Sequence, residues 1–405
     1  MKPEPHDVVV VGSGLLGLLV AEQLTSKGRR VEVLVSPGPD PRSDSQRNHS
    51  WLQSGLLYPG NIHARKMYYD GLEMLDHFGF SAPIKRGIFR FSCQEEVDAF
   101  LGHAEKIRLR GQVKDIPDVE ARYRLGVFFQ PGHFHFEVPD APFPEAELME
   151  AARARASRLG ATFHQCRVDL KRDESSTNGY VVVAGHRRLV PRTTIVCAGA
   201  GTPKILRDLD LPHPLVVNQS VLLVIEGATG VRVPLLADRT TGFTLVTWDA
   251  RESPPRGRLV VGAAERRLVS TEGEDIDRRT QSDEEDFLLR LIPSSLNIEK
   301  RMYRFTPGQK TDVLVEGRST VAPWVHAPTQ FPGLILGTPG KATLAFAVAK
   351  QILARIEAEI REVSGLHSAR HPDEPLPGAP WRDPIRAHSD ACYDPPKERE
   401  TDENS

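Results

Sequence analysis

The hydrophobic pattern is clearest in the first forty residues. Residues 7–12 read Asp-Val-Val-Val-Val-Gly, a β-branched run that predicts a strand buried on both faces. A helical stretch follows at 18–24 and ends near Gly28, and residues 30–35 form a second β-branched run. Strand, glycine turn, helix and strand within about thirty residues predict a βαβ unit.

Similar elements recur along the rest of the chain. Helices are predicted at 144–160 and 342–360, and strands at 161–168, 193–198 and 333–337, of which 193–198 has the pattern of a buried strand. Strand patterns dominate the segment 214–305, which one acidic helix interrupts at 283–291. The α/β pieces therefore flank two β-rich inserts, at about 86–139 and 206–310.

This order predicts the α/β fold class, with a Rossmann-type cofactor domain and a β-rich α+β substrate-binding domain inserted into it. The cofactor domain is expected at 1–85, 140–205 and 311–365, and the substrate domain at 86–139 and 206–310. Residues 366–405 are rich in charge and proline and poor in apolar anchors, which predicts a disordered tail.

Composition narrows the function classes. The formal net charge of −2 over 405 residues gives no electrostatic footprint for nucleic acid or an anionic membrane. Four cysteines are too few for a disulfide framework, and their spacing matches no zinc pattern. The N-terminal residues lack a signal-peptide pattern, and no stretch approaches the roughly 20 apolar residues of a membrane helix. We expect a cytoplasmic protein without a metal site.

The turn after the first strand carries candidate chemistry. Gly12-Ser-Gly14-Leu15-Leu-Gly17 has the spacing of a dinucleotide-binding turn. Gly12 permits the tight turn, Gly14 lets a pyrophosphate approach the backbone, and Gly17 allows close helix–strand packing. The helix N-terminus offers free N–H groups and partial positive charge to phosphates. These residues are predicted to bind a dinucleotide.

The acid that normally follows such a turn is missing. A dinucleotide fold usually ends its second strand with Asp or Glu, which binds a ribose hydroxyl, but this chain has Val35 there. Glu32 lies three residues earlier and points to the opposite face of the strand. An alternative is that Arg42 serves a 2′-phosphate, which would make the cofactor NADP. The other candidates for the ribose are Ser36, Asp40 and Asp44.

Residues 45–66 resemble the second signature of the FAD-dependent D-amino-acid-oxidase-like superfamily. Within it, they are most similar to the L-2-hydroxyglutarate dehydrogenase/oxidase branch. A histidine of that branch falls on Gln53, which is a departure from its pattern. The matching positions are Asn48, Gly55, Tyr58, Pro59, Gly60 and Ala64.

Two later segments extend the resemblance. Residues 193–207 resemble the strand, glycine turn and helix near the FAD diphosphate, and residues 337–345 resemble the segment that passes under the flavin ring. The resemblance runs in order over 7–360 and implies FAD rather than NADP. Beyond the glycine turn, it implies cofactor contacts at Ser36, Arg47, Asn48, Val168, Ala198, Gly199, Gly340, Lys341 and Ala342.

The resemblance also implies catalytic residues. Gly340 and Lys341 open a helix where the family stabilises negative charge on the flavin. Arg304 falls where relatives often carry a substrate arginine, and Lys310 is the neighbouring alternative. Arg86 is a weaker candidate for the same role.

A general base should be a histidine or carboxylate. His133 and His135 alternate along a predicted strand, and relatives have a histidine-bearing segment near there, so a site role at His135 is expected. Gln53 and Tyr58 would lie near the flavin, although a glutamine cannot act as a base. His49 is a candidate for covalent flavin attachment, which nothing else in the sequence supports.

The leading interpretation is an FAD-dependent oxidoreductase that removes a hydride from a small amine, amino acid or related carboxylate. The alternatives are a 2-hydroxy acid dehydrogenase or oxidase, and a flavin-binding subunit or homologue without independent turnover. An NADP dehydrogenase is a further alternative. The sequence leaves the electron acceptor open among oxygen, a quinone and a carrier protein.

Overall fold

The computed structural model describes residues 7–37, 50–83, 86–228, 232–248, 257–263, 268–270, 278–296, 302–315 and 318–363. Its helices are α1 (Leu15–Ser26), α2 (Ala64–His77), α3 (Gln94–Lys106), α4 (Asp118–Leu125), α5 (Glu145–Arg158), α6 (Thr202–Asp208), α7 (Arg278–Leu291) and α8 (Ala345–Val363). Its strands are β1 (Val8–Val11), β2 (Val31–Val35), β3 (Trp51–Leu52), β4 (Gly87–Phe91), β5 (Lys114–Asp115), β6 (Phe134–Val138), β7 (Ala141–Pro142), β8 (Thr162–Gln165), β9 (Val168–Arg172), β10 (Tyr180–Ala184), β11 (Arg187–Leu189), β12 (Thr193–Val196), β13 (Leu215–Ala228), β14 (Leu235–Asp238), β15 (Phe243–Trp248), β16 (Gly257–Ala263), β17 (Leu268–Ser270), β18 (Tyr303–Val315), β19 (Arg318–Thr320), β20 (Trp324–His326) and β21 (Leu334–Thr338).

Six of the described strands form one sheet, here called the parallel sheet, in the order β20-β21-β12-β1-β2-β8. β1 pairs in parallel with β2 and with β12. Among the described strands of this sheet, only the edge strand β20 runs antiparallel to its neighbour. The β-branched runs of β1, β2 and β12 are buried along their whole length, as the sequence pattern predicts.

The parallel sheet is covered on both faces. Helices α1, α5 and α8 share one hydrophobic core with one face of β1 and β2. On the other face, Val9, Val11 and Leu34 pack against residues of the antiparallel meander β9–β11 and of α6. The predicted α/β character of this part is confirmed.

A second, mixed sheet contains ten of the described strands. Its order is β19-β18-β13-β16-β15-β14-β4-β6-β5, and β17 pairs with β13. The predicted β-rich insert at 86–139 is also helical, because α3 and α4 occupy much of it. In α3, Val97, Phe100 and Ala104 recur at helical spacing and pack on the aromatic side chains of β4 and β6, a period that the sequence analysis missed.

The strands of the two large sheets come from the segments that were predicted for the two domains. The parallel sheet uses strands from 8–35, 162–196 and 324–338, and the mixed sheet uses strands from 87–138 and 215–320. The predicted boundary at 310 falls inside β18, whose continuous strand runs to Val315. The division into two domains itself stays a prediction, and the tail at 366–405 lies outside the described residues. No helix in the described part of the chain is long and apolar enough to cross a membrane.

Candidate active site

A cavity of about 580 Å³ opens where the carboxyl ends of the parallel strands face one end of the mixed sheet. Such an edge of a parallel sheet is the usual place for a ligand in an α/β fold. The lining comes from the turn after β1, the end of β2, the loop after β3, the turns after β12 and β21, and strands β13 and β18.

The turn after β1 is held by close backbone contacts. Gly12 has φ +107°, and a Cβ there would lie 2.3 Å from the carbonyl oxygen of Cys197. A Cβ at Gly17 would lie 2.0 Å from the carbonyl oxygen of Gly12. Gly12, Gly14 and Leu15 line the cavity, and α1 begins at Leu15, so its free N–H groups open toward it. The turn leaves room for a phosphate against bare backbone.

The end of β2 also lines the cavity, through Val35, Ser36 and Pro37. Glu32 is directed elsewhere, because both of its carboxylate oxygens accept hydrogen bonds from Arg187, at 2.5 and 3.0 Å. Other predictions of the sequence analysis for this region lie outside the described residues, namely those for Asp40, Arg42, Asp44, Arg47, Asn48 and His49.

Two more turns complete the cofactor side of the cavity. Ala198 and Gly199 follow β12, and both line it. After β21, Gly340 has φ +66°, and a Cβ there would lie 2.9 Å from the carbonyl oxygen of Ala322. Lys341 precedes a short 3₁₀ turn (Ala342–Leu344) that leads into α8, so the predicted helix begins one turn later than expected.

Lys341 and Tyr58 meet in this cavity, although the sequence separates them widely. The Lys341 Nζ lies 5.2 Å from the centroid of the Tyr58 ring, within cation–π range. Gln53 lines the same cavity and is itself buried. The structure thus brings together three of the residues that the resemblance implied.

A buried carboxyl fixes the loop that carries Gln53. The Trp51 Nε1–H donates to Asp140 Oδ1 at 2.9 Å, and the Ser54 backbone N–H donates to the same oxygen at 3.1 Å. The Ser54 hydroxyl donates to Asp140 Oδ2. Burial raises the pKa of Asp140 to about 7, against the opposing effect of these donors. Gln53 lies between the two anchored residues, so the Asp140 network sets its place.

The mixed sheet contributes a polar cluster at the other end of the cavity. Lys310 on β18 lies opposite Asn218 on β13 in the strand register. The Lys310 Nζ is 2.6 Å from Asp312 Oδ2, and Asn218 Nδ2 donates to the same carboxylate. Asp312 is buried, whereas the Lys310 side chain is 23 % exposed and lines the cavity. A cation is thereby held at a fixed place in the cavity wall.

Three predicted site residues lie elsewhere. Arg304 is not a cavity residue, because its side chain is 47 % exposed and pairs with Glu226 at 3.1 Å. His135 is buried in the mixed sheet, stacked on Phe129, and is also absent from the lining. Burial and then the neighbouring Arg90 guanidinium lower the pKa of His135. Val168, on β9, pairs with Ala184 in the meander and likewise does not line the cavity.

Sequence reasoning missed several polar residues of the cavity. Asn218, Gln219 and Ser220 interrupt the apolar run of β13, and Asn218 and Gln219 are buried nonetheless. Polar residues inside an otherwise apolar strand were the available signal. The missed lining residues with polar side chains are Ser50, Glu145, Asn218, Gln219, Ser220, Arg239, Thr244, Gln309, Thr311, Thr338 and Thr343.

Comparison with known proteins identifies the family. The sequence model of the family described as DAO, FAD dependent oxidoreductase, matches residues 7–355. The chain belongs to this family. The resemblance seen in the sequence is therefore confirmed, and this DAO-family protein is an FAD-dependent oxidoreductase.

Individual relatives are more distant. A 72-residue stretch, 18% of this chain, is 36% identical to the mitochondrial L-2-hydroxyglutarate dehydrogenase of Arabidopsis thaliana and spans 15% of that protein. Iminodiacetate oxidase from Chelativorans sp. BNC1 is similar in fold, with 16% identity over 87% of this chain and 95% of that one and a TM-score of 0.69. Glycine oxidase from Geobacillus kaustophilus gives the same identity and coverage and a TM-score of 0.68.

The residues of the cavity fit FAD. The backbone of Gly12 and Gly14 lines the cavity, and α1 begins beside it at Leu15, as a pyrophosphate requires. Gly340 and Lys341 line the same cavity, and the contact with the flavin ring that the resemblance implies for them stays a prediction. The predicted cofactor is confirmed as FAD at the level of the family.

Proposed function

We propose that this protein oxidises a small amino acid or amine that carries a carboxylate. The observation that carries the proposal is the position of Lys310, a cation in the wall of the cavity that also contains the glycine cradle. The similar solved structures are named as oxidases of glycine and of iminodiacetate, both of which have an amine nitrogen close to a carboxylate.

Lys310 replaces Arg304 as the proposed carboxylate partner. The Lys310 ammonium can donate three hydrogen bonds, and its Nζ lies 2.6 Å from Asp312 Oδ2. Asp312, which also accepts a hydrogen bond from Asn218, holds the ammonium in the cavity wall. A carboxylate held there would gain a charge-assisted hydrogen bond in a partly desolvated place.

Gly340 and Lys341 serve the flavin end of the cavity. FAD, when bound, accepts the hydride that leaves the substrate carbon, and negative charge develops on its ring. Backbone N–H groups of this turn and the Lys341 ammonium, which line the cavity, would stabilise that charge. The Tyr58 ring, 5.2 Å from the Lys341 Nζ, holds the ammonium over the cavity.

The lining favours an amine over an alcohol. Oxidation of a 2-hydroxy acid requires a base for the hydroxyl proton. Among the described lining residues there is no histidine, and Glu145 is the sole carboxylate. An amine substrate can enter in its neutral form without such a base. We therefore expect the rate of flavin reduction to rise with pH as the substrate ammonium loses its proton.

A 2-hydroxy acid remains the second candidate, because the local similarity to L-2-hydroxyglutarate dehydrogenase favours it. Anaerobic mixing of the full-length protein with a panel of amino acids, amines and 2-hydroxy acids separates the two. Bleaching of the flavin absorption with release of ammonia supports the proposal, and bleaching by hydroxy acids alone contradicts it. Flavin that stays oxidised with the whole panel supports a protein without independent turnover.

The role of Lys310 is tested by a double variant, Lys310→Met with Asp312→Asn, which removes both charges of the pair together. We expect the apparent dissociation constant of a carboxylate substrate to rise by about 10- to 100-fold, the effect of one charged hydrogen bond. The matched control is Arg304→Met on the same strand, which should leave substrate affinity unchanged. Unchanged substrate affinity in the double variant, together with weakened affinity in Arg304→Met, would restore Arg304 as the substrate residue.

The electron acceptor and the compartment are still predictions from the sequence. Mixing the substrate-reduced protein with oxygen tests the first. Reoxidation within the turnover time supports an oxidase, and slow reoxidation supports a quinone or a carrier protein.

A further inference from the structure

The ribose-binding acid of this dinucleotide fold has no counterpart at its usual place. Val35 ends β2, and Glu32 on the same strand is held by two hydrogen bonds from Arg187. A carboxylate at the end of the second strand normally accepts a hydrogen bond from the 2′-hydroxyl of the cofactor's adenosine ribose. Some other group near Val35 must serve a ribose that is bound here.

Glu145 is the carboxylate that meets this requirement. It lines the same cavity as Val35 and Ser36 and is 1 % exposed. A glutamate is rarely buried so fully unless its carboxylate has a partner. Among the described lining residues of the cavity, it is also the only acidic one.

The topology brings Glu145 to the correct edge of the parallel sheet. α5 leads into β8, which runs parallel to β2 with Gln165 opposite Val35. The helix therefore ends at the amino edge of the sheet, and its first turn, where Glu145 lies, is at the carboxyl edge, where β2 also ends. The residue two positions earlier, Phe143, donates its N–H to the Ser50 carbonyl at 2.7 Å and ties this turn to another part of the cavity wall.

We propose that the Glu145 carboxylate takes the place of the missing strand-end acid and accepts a hydrogen bond from the adenosine ribose of FAD. The acid has thus moved from the end of β2 to the first turn of a helix about 110 residues later, while its chemistry is kept. A carboxylate there also selects against a 2′-phosphate, because two negative charges in a partly desolvated cavity repel each other. The same residue therefore excludes NADP.

Among the described residues of the cavity wall, Ser36 is the rival for this contact. It lines the cavity next to Val35, but it is exposed, and its neutral hydroxyl gives a weaker hydrogen bond than a buried carboxylate. Removing each side chain separately distinguishes the two.

The test measures the dissociation constant of FAD for the full-length protein, from the rise of flavin fluorescence as diluted holoprotein releases its cofactor. The variants are Glu145→Gln, Ser36→Ala and the matched control Glu147→Gln, which removes an exposed charge from the same helical turn. Each is measured with FAD and with an FAD analogue that lacks the 2′-hydroxyl of its adenosine ribose.

We expect Glu145→Gln to weaken FAD binding by about 10- to 100-fold and Glu147→Gln and Ser36→Ala to leave it within about twofold. The analogue should bind the unmodified protein as weakly as FAD binds Glu145→Gln, and the substitution should add no further loss. Three results would overturn the proposal: unchanged FAD affinity in Glu145→Gln, equal affinity of the unmodified protein for FAD and its analogue, or a loss confined to Ser36→Ala.

The comparison of FAD with its analogue in the unmodified protein keeps the proposal testable even if Glu145→Gln does not fold. The inference depends on the binding of FAD, the cofactor of this family, and not on the substrate proposed above. Failure of every substrate to reduce the flavin would leave this result unaffected, whereas a failed FAD measurement would leave the substrate test intact.

Discussion

The two ends of the cavity are built in different ways. The cofactor end depends on backbone: a Cβ at Gly12 or Gly17 would lie 2.3 or 2.0 Å from a backbone carbonyl oxygen, and the residues of this turn are neighbours in sequence. The substrate end depends on side chains, with Lys310, Asp312 and Asn218 brought together by the pairing of β13 and β18. The glycine turn is a general dinucleotide-binding feature, whereas the selection of the substrate is proposed for the second end.

The largest effect is expected where the cofactor end tolerates no side chain. Gly17→Ala would place a Cβ against the backbone of Gly12, which cannot move aside, and we expect loss of bound FAD and about 3 kcal/mol or more of stability. The ratio of flavin to protein after purification measures the first effect, and urea unfolding measures the second.

The control for this substitution is Gly102→Ala on α3, where an added Cβ meets no heavy atom within 4 Å. It should keep the full flavin content and raise stability by about 0.5–1 kcal/mol, because alanine is the better helix former. A Gly17→Ala protein with a full complement of FAD would contradict the view that backbone contact builds this end.

Asp140 gives the next effect, on the pH dependence of stability. Burial raises the pKa of Asp140 to about 7 in the folded protein, so the folded state binds a proton more tightly than the unfolded state does. Its contribution to stability is present below about pH 4 and is lost as the pH rises toward 7, by about 2–4 kcal/mol over that window.

The measurement compares urea unfolding of the unmodified protein and Asp140→Asn from pH 4.5 to 8. The free energy of unfolding of the variant should fall less steeply over this range, because the amide does not titrate. Equal slopes for the two proteins would show that Asp140 keeps an ordinary pKa in the folded state.

Lys341 lies at the proposed flavin end of the cavity, and its substitution should affect the flavin without releasing it. Lys341→Met removes a cation from that end, so we expect the midpoint potential to fall by about 30 mV, which is a tenfold change in the equilibrium constant of a two-electron couple, and flavin reduction to slow by up to about tenfold. The control is Lys350→Met, an exposed lysine of α8 that pairs with Glu73. An unchanged rate and potential in Lys341→Met would leave this role to the backbone N–H groups.

The smallest effect is expected at Arg304. Its ion pair with Glu226 is about half exposed on both sides, and such pairs contribute at most about 0.5–1 kcal/mol. Arg304→Ala should therefore change the free energy of unfolding by no more than this, as urea unfolding would show. A larger loss would indicate that Arg304 has a role beyond its surface pair.

Arg304 and Lys310 show why side-chain positions were harder to predict than the fold. Both lie on β18 and, six residues apart, on the same side of the strand by alternation. They are nevertheless about 20 Å apart along the strand, so one reaches the cavity and the other reaches solvent. The resemblance pointed to this strand. Only the path of the strand along the cavity determines that Lys310, and not Arg304, lines the cavity.

His135 is a second residue whose strand was predicted but whose surroundings were not. The alternation of His133 and His135 correctly indicated a strand, β6, but the sheet buries His135 against Phe129 and away from the cavity. Periodicity shows that two side chains share a face. It does not show which neighbouring element covers that face.

The sequence by itself determined the βαβ unit, the glycine turn, the family and the FAD, because these depend on contacts among residues that are near in the chain and on backbone that only glycine allows. The tertiary structure decided that Lys310 rather than Arg304 lies at the cavity, that Asp140 anchors the loop of Gln53, and that Glu145 lines the same cavity as Val35. Those contacts join elements that are tens to hundreds of residues apart. Their partners are set by strand register and helix packing, which local pattern does not specify.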